Sequence, residues 1–321
     1  MNYRFFNSGE RISEIGYGCW GIGKSWWGPT DDGESKRALQ VAVELGVNFF
    51  DTALVYGQGH SEQLVGGVIR RNPGKEVRVA SKIPPKNFQW PARPGTRLAE
   101  AFPRDHIRSS TEKTLKNLRL ESIFLQQLHV FAPNWVNEPE WMEEMAKLRQ
   151  EGKIQHWGVS VNDHQADTVV ELVEREMVQS VQVIYNIFDQ SAADRLLPAC
   201  LRHGVSVIVR VPLDEGSLTG AFTETTEFAE PDFRSKYFRR ERMMEVIRRV
   251  SALKKDLPED VPICDAALRF VLQSDAVTTV IPGMRKIENV RKNLSVSGRP
   301  RLTNELEESL KTHRWIRNFY E

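Results

Sequence analysis

Short apolar runs alternate with longer amphipathic stretches along most of the chain. The runs Ile15–Trp20, Val47–Phe50, Val77–Ala80, Ile123–Leu128, Ile154–Val159, Ser180–Val183, Val205–Val209 and Val277–Ile281 are too short for helices and rich in β-branched and aromatic side chains. They read as buried strands. Between them apolar residues recur at helical spacing. Ala38, Val41, Ala42 and Leu45 make one such face, stopped by Gly46. Leu64, Val65, Val68 and Ile69 make the next, with Ser61 as expected N-cap and Pro73-Gly74 as its end. Further faces follow at Ile107–Leu118, at Trp141–Leu148 before Gly152, at Val169–Val173 with Asp163 as expected cap, and at Leu196–Leu201 before His203-Gly204.

Strict strand–helix alternation implies parallel strands, because each crossover helix returns the chain to the same edge of the sheet. Eight such units without a linker-like break predict a closed (β/α)8 TIM barrel forming a single domain over residues 1–321. The seventh unit departs from the rhythm. Leu213 to Gln273 holds a polar loop, a helix around Met243–Leu253, a break at Pro258 and a second helix over Ile263–Gln273. An extended loop after strand seven lies on the face where barrels keep their sites, so it predicts a cover over a ligand. The C-terminal tail after Asn293 is mostly charged, but it ends in Trp315, Phe319 and Tyr320.

Composition narrows the partners. Lys plus Arg (44) balance Asp plus Glu (43), so the net charge of +1 gives no reason to expect nucleic acid. Cys19, Cys200 and Cys264 stand far apart with no C-x-x-C pair, which suits a reducing, cytoplasmic setting and neither a disulfide framework nor a zinc site. The first residues are too polar for a signal peptide, and no apolar run approaches a membrane span, so no membrane partner is expected.

In a parallel barrel, chemistry belongs where strands end at their C-terminal side. Strand two ends in Asp51, with Tyr56 just beyond; strand three runs into Lys82, and strand four into His129. Taken alone, Asp51 fits a turn cap and Tyr56 surface packing equally well. Three successive strands ending in Asp/Tyr, Lys and His are a more specific pattern. A lysine is seldom buried unless paired, and Asp51 is its natural counter-ion. A phenol with a pKa near 10 is a poor acid at neutral pH, and a neighbouring ammonium is expected to lower that value. With His129 to steer a carbonyl oxygen, the four make a general acid beside an electrophile.

Asp51, Tyr56, Lys82 and His129 resemble, in type, order and placement, the catalytic tetrad of the aldo-keto reductases, (β/α)8 barrels that reduce aldehydes and ketones with NADPH. DTALVYGQGHSE (Asp51–Glu62) looks like that family's D-x-A-x-x-Y-G stretch. GVS, ending at Ser160, and Gln182 on strand six resemble the contacts to the nicotinamide carboxamide. PLDEGSLTG resembles the loop over the pyrophosphate, which implies roles for Pro212, Leu213, Gly216, Leu218 and Gly220. IPGMRKIENVRKN resembles the adenosine grip, implying Gly283, Arg285, Asn289 and Asn293; a guanidinium such as Arg285 matches phosphate geometry. The likeness implies NADPH, with NADH less expected. Three positions depart from the pattern. Arg210 stands where an aromatic ring usually stacks on the nicotinamide, and its charge is expected to favour NADPH over NADP+. Val161 follows Ser160, so that Asn162 takes a common asparagine's role one residue late. Lys292 replaces a frequent Glu.

Gly16, Gly18 and Gly21 spell G-x-G-x-x-G, but no helix opens on the last glycine, so a Rossmann motif is excluded. These glycines are expected to let the first barrel loop pass close to a ligand, with Cys19 and Trp20 near the cofactor. Trp20, Trp26, Trp27, Phe131 and Trp135 form an expected apolar wall for the substrate, although loop packing would use the same residues. Phe88 and Trp90 leave the two uses equally open. The basic run Arg234–Arg242 reads as a solvated helix start or as a lid over phosphates. The histidines other than His60 and His129 read as surface or capping residues. The expected function is therefore NADPH-dependent reduction of a small carbonyl compound. The alternatives are an NADPH-binding regulatory or redox-sensing subunit with slow turnover, and a Schiff-base aldolase using Lys82.

Overall fold

The computed structural model describes residues 1–24 and 26–320. A two-stranded antiparallel hairpin, β1 (Tyr3–Phe5) and β2 (Arg11–Ser13), precedes eight parallel strands: β3 (Tyr17–Gly18), β4 (Phe49–Asp51), β5 (Arg78–Ile83), β6 (Ile123–Leu128), β7 (Ile154–Ser160), β8 (Ser180–Ile184), β9 (Ser206–Arg210) and β10 (Val277–Val280). Each pairs with the next in chain order. Parallel bridges Ile15↔Val280 and Gly18↔Gly283 join the first strand to the last, and the sheet closes into the expected barrel. All eight sequence-read strands are present, within a few residues of the expected bounds. The two helices expected in the seventh unit run over Arg240–Asp256 and Ile263–Gln273.

The period-two alternation of strand side chains decides what enters the barrel. Phe49, Ala80, Leu125, Ile208 and Ile281 form a small inner cluster. Phe50, Val79 and Val209 join the larger core between barrel and helices. Counting two residues on from the inner set reaches Asp51, Lys82 and Arg210, and four on from Leu125 reaches His129. The polar residues at the strand ends therefore share the inner face because the apolar ones beneath them do.

Several local expectations are corrected. The hairpin, not foreseen from its short strands, seals the barrel floor with Phe6 and Ile12. His156 is buried there between Phe6 and Phe124 rings at 5.0 and 4.9 Å, rather than lying on the surface. Helix His60–Arg71 starts one residue before Ser61, on Gly59 at φ +94. Ser61 Oγ instead donates to the Cys19 carbonyl at 2.9 Å and accepts from Thr52 at 2.9 Å, tying β3 to β4. Asp163 caps no helix; a 3₁₀ turn at Ala166–Val169 leads into Val170–Glu174. The glycines of the first strand admit the chain itself: a Cβ at Gly18 would sit 2.6 Å from the Ile281 carbonyl oxygen.

Helix His60–Arg71 crosses the end of helix Arg104–Leu118 at Gly66, where a side chain would overlap the Leu118 backbone. Gly67, its neighbour, has open space. Gly66→Ala is expected to lower thermal stability by about 1–3 kcal/mol, the usual cost of overpacking. Gly67→Ala is expected to raise it by up to about 1 kcal/mol through helix propensity. Thermal unfolding of the two variants separates the effects.

Candidate active site

Lys82 is fully buried, on the inner face of β5. Its Nζ donates to Asp51 Oδ1 at 2.6 Å and to the Thr52 carbonyl at 2.7 Å. The other Asp51 oxygen accepts from Gln182 Nε2 at 2.7 Å, so the carboxylate is fixed from two strands. Above this pair stands Tyr56, whose ring centroid is 5.2 Å from Lys82 Nζ. His129 lies beside it, ring to ring at 5.9 Å and near-perpendicular, its Nδ1 buried without a partner among the described residues. The four residues singled out from the sequence thus meet at one mouth of the barrel.

The electrostatics differ from the sequence expectation in one respect. Burial pushes the Tyr56 phenol well above its ordinary 10; the Asp51 charge adds to this, and Arg210 opposes it. The expected lowering by Lys82 is not seen, because that ammonium is committed to Asp51 and Thr52 and faces the ring. Burial also pushes Lys82 down, offset by Asp51. Burial, aided by the charges of Lys82 and Arg210, holds His129 well below 6.5, so its imidazole is neutral at pH 7.

Other residues named from the sequence fall into three groups. Around the mouth are Trp20, stacked 6.1 Å from Tyr56, and Cys19, buried with its N–H bonded to the Asp51 carbonyl at 2.8 Å. Ser160 ends β7 opposite Gln182. Arg210 reaches across to donate to the Val161 carbonyl at 3.0 Å and to Asp163 Oδ1 at 2.6 Å, which balances its charge. Pro212, Leu213, Gly216, Leu218 and Gly220 make a tight turn with left-handed residues at Val211, Asp214, Glu215, Gly216 and Gly220. A second group borders helix Ile287–Leu294: Gly283 and Asn289 are exposed, Asn293 is buried, and Arg285 donates to the Trp27 carbonyl at 2.9 Å.

The third group lies elsewhere. Phe131 and Trp135 are wholly buried in a cluster with Phe102 and Trp141, and the Trp135 indole donates to the Thr96 carbonyl at 2.8 Å. They pack the loop after β6 rather than facing the mouth. Asn162 spends its amide on the carbonyls of Ala92 and Phe131 and on Gln165, as a loop anchor.

Aromatic residues close the mouth from two sides. Phe233, from the long loop after β9, stacks on Trp20 at 4.9 Å and meets Trp27 at 5.1 Å, and its N–H bonds the Trp26 carbonyl at 2.9 Å. Arg234 lies over Trp27 at 4.6 Å and is held by Asp232. Trp90 touches His129 edge-on at 4.5 Å, which places it at the site. Phe233 carried no signal in the sequence beyond belonging to an extended loop.

The sequence model of the Aldo/keto reductase family matches residues 14–313. An uncharacterized oxidoreductase of Bacillus subtilis, YqkF, is 28% identical over 306 residues, covering 94% of this chain and 92% of its own. The NADH-specific methylglyoxal reductase of Escherichia coli K12 is 25% identical over 307 residues, covering 88% and 89%. The solved holo form of the aldo-keto reductase AKR11C1 from Bacillus halodurans matches with a TM-score of 0.77 at 25% identity, over 100% of both chains.

Glu215 gives a prediction on stability. Burial pushes its carboxyl up from 4.5 to about 7, against the Tyr320 hydroxyl and the Arg210 charge, with Asp214 and Asp163 adding to the rise. A raised carboxyl binds its proton more tightly folded than unfolded, so its contribution is full below about pH 4.5 and lost as pH rises through 7. Between pH 5 and 8 the unfolding free energy of the native chain is expected to fall relative to that of Glu215→Gln, by up to about 3 kcal/mol. Denaturant titrations of both proteins at the two pH values measure this.

Proposed function

The chain belongs to the aldo/keto reductase family, whose members are NAD(P)H-dependent oxidoreductases, and on that premise we propose that it reduces an aldehyde or ketone with NADPH, Tyr56 being the proton donor. The observation that carries this reading is the buried Lys82–Asp51 pair set directly beneath Tyr56 with neutral His129 alongside.

Each residue has a role that follows from its surroundings. A neutral imidazole offers one N–H, and His129 uses it to hold the carbonyl oxygen near Tyr56. Bound NADPH supplies the hydride to the carbonyl carbon. As charge builds on the oxygen, Tyr56 gives up its proton. A phenol raised by burial is a weak acid, but an alkoxide is a far stronger base, so the transfer runs downhill. The phenolate left behind meets the positive charge of Arg210, which favours it. Asp51, held by Gln182, keeps Lys82 oriented. Trp20 and Trp90 supply an apolar wall, which suits a carbonyl compound with an apolar or aromatic part.

The adenosine end fits a phosphorylated nucleotide. Arg285 and Arg234 flank Trp27, whose Nε1 is buried without a partner among the described residues. Burial, and then repulsion from the Arg234 guanidinium, lower the Arg285 pKa, with Asp232 and Glu34 opposing. A bound phosphate relieves that repulsion. This supports NADPH, even though the methylglyoxal reductase relative is NADH-specific. Asp163 beside Arg210 tempers any bias toward the reduced nucleotide that a bare charge would give. A Schiff-base role for Lys82 is disfavoured, since its amine is enclosed and bonded twice.

Tyr56→Phe is expected to lower kcat by about 10²–10⁴-fold while NADPH still binds. With NADPH saturating, kcat/KM for a carbonyl substrate is expected to show no inflection near pH 6.5, because His129 stays neutral there and Tyr56 stays protonated. Arg285→Ala is expected to lose the preference for NADPH over NADH in calorimetric titration. Failure of the native chain to bind either nucleotide would overturn the reading.

A further inference from the structure

The turn Val211–Gly220, which the family resemblance sets against a pyrophosphate, has an unfavourable build. Val211, Asp214 and Glu215 occupy left-handed backbone at φ +55, +50 and +53, a conformation that non-glycine residues adopt with strain, a β-branched one most of all. The turn also carries two carboxylates, Asp214 and Glu215, both buried, on a segment expected to receive an anion.

Residues Trp315–Tyr320 of the C-terminal tail address both problems. The Trp315 N–H bonds the Phe188 carbonyl at 2.8 Å, and the Phe319 carbonyl accepts from Arg242 at 2.9 Å, so the tail is anchored at two points. Between these anchors Arg317 forms a buried ion pair with Asp214, its guanidinium lying 4.3 Å from the Trp315 ring. Asp214 also accepts from Ser217 Oγ within the turn. Tyr320 donates its hydroxyl to Glu215, and its ring packs on Tyr237 at 4.8 Å and on His164 at 5.7 Å. Every polar contact the tail makes with the turn goes to one of the two acids.

We propose that Arg317 and Tyr320 are positioning residues for the nucleotide: they clasp the Val211–Gly220 turn in its left-handed form, and Arg317 cancels the Asp214 charge that would otherwise repel a pyrophosphate. This rests on the reading of the turn as a nucleotide contact. Among the described residues neither makes a hydrogen bond or ring contact with Tyr56, although the Glu215 charge bears on that phenol. The Arg317–Asp214 pair is therefore the part of the clasp that acts on cofactor affinity and leaves the chemical step alone. The charged and titratable groups facing the pair of acids are Arg317 and Tyr320 from the tail, Arg210 from β9, Asp163 after β7, Tyr237 from the long loop and Tyr56.

The test is calorimetric NADPH binding together with steady-state kinetics on the full chain and its variants. Arg317→Met is expected to raise the NADPH Kd and KM about tenfold, with kcat at saturating NADPH within about two-fold of the native value. Adding Asp214→Asn removes the uncancelled charge and is expected to return Kd to within about two-fold of the native value, a rescue that a purely structural defect would not show. Tyr320→Phe keeps the ring packing and tests the clasp mildly, with an expected rise in Kd of a few-fold. Native binding of NADPH with unchanged Kd in both Arg317→Met and Tyr320→Phe would overturn the clasp alone. A double variant as weak as Arg317→Met would overturn the charge argument. If the native chain binds neither NADPH nor NADH, the reading of the site fails first.

Discussion

Everything at the barrel mouth depends on keeping one ammonium group inside a closed sheet. Removing an isolated charge from water costs far more than a domain's net stability, so Lys82 can sit fully buried only with a counter-charge and its remaining protons satisfied. Asp51 supplies the charge and the Thr52 carbonyl a further acceptor. Asp51 in turn needs its second oxygen held, and Gln182 on β8 does so. Strands β4, β5 and β8 are thereby bound to one another through side chains as well as through the ladder. The same demand sets the level of the site. Beneath Lys82 the inner face carries the apolar cluster, and just above it stands the Tyr56 ring.

The mouth continues that logic of matched charges. Arg210 faces the tetrad and is balanced by Asp163; Arg317 is balanced by Asp214; Arg234 is balanced by Asp232. Arg285 has no carboxylate within pairing distance among the described residues and turns to a carbonyl instead. These residues come from three different barrel units and the C-terminal tail, which explains why so much side chain converges on one end of the fold.

Tyr56 shows why proximity of charge is a poor guide to acidity on its own. A lysine within reach of a phenol suggests a lowered pKa, and the residues alone support that view. In the folded chain the balance goes the other way. Burial penalises the phenolate, Asp51 repels it, and the Lys82 charge is already spent on that same Asp51. Tyr56 therefore keeps its proton at neutral pH.

The order of strands and helices, the barrel, and the convergence of Asp51, Tyr56, Lys82 and His129 were legible in the sequence. Periodicity reports which face a residue takes, and a strand's C-terminal end has one location in a parallel barrel. Loop residues carry no such period. Phe131 and Trp135 look like a substrate wall when read as composition, yet packing draws them into the core, because a ring in a loop gains most by burial wherever space exists. Trp90, left open by its sequence, and Phe233, which carried no signal there, fall at the mouth. Asn162 and Asp163 leave their expected roles for the same reason: the fold offers Asn162 the carbonyls of Ala92 and Phe131, and Asp163 the Arg210 guanidinium. The tail's grip on the turn joins residues 103 and 105 positions apart, and nothing in local pattern announces such a pair. The sequence by itself determined which side chains stand on the inner face and at which end. Which loop residues meet them, and which charges end up cancelled, was decided by tertiary packing, since those choices depend on distances that exist only once the barrel has closed.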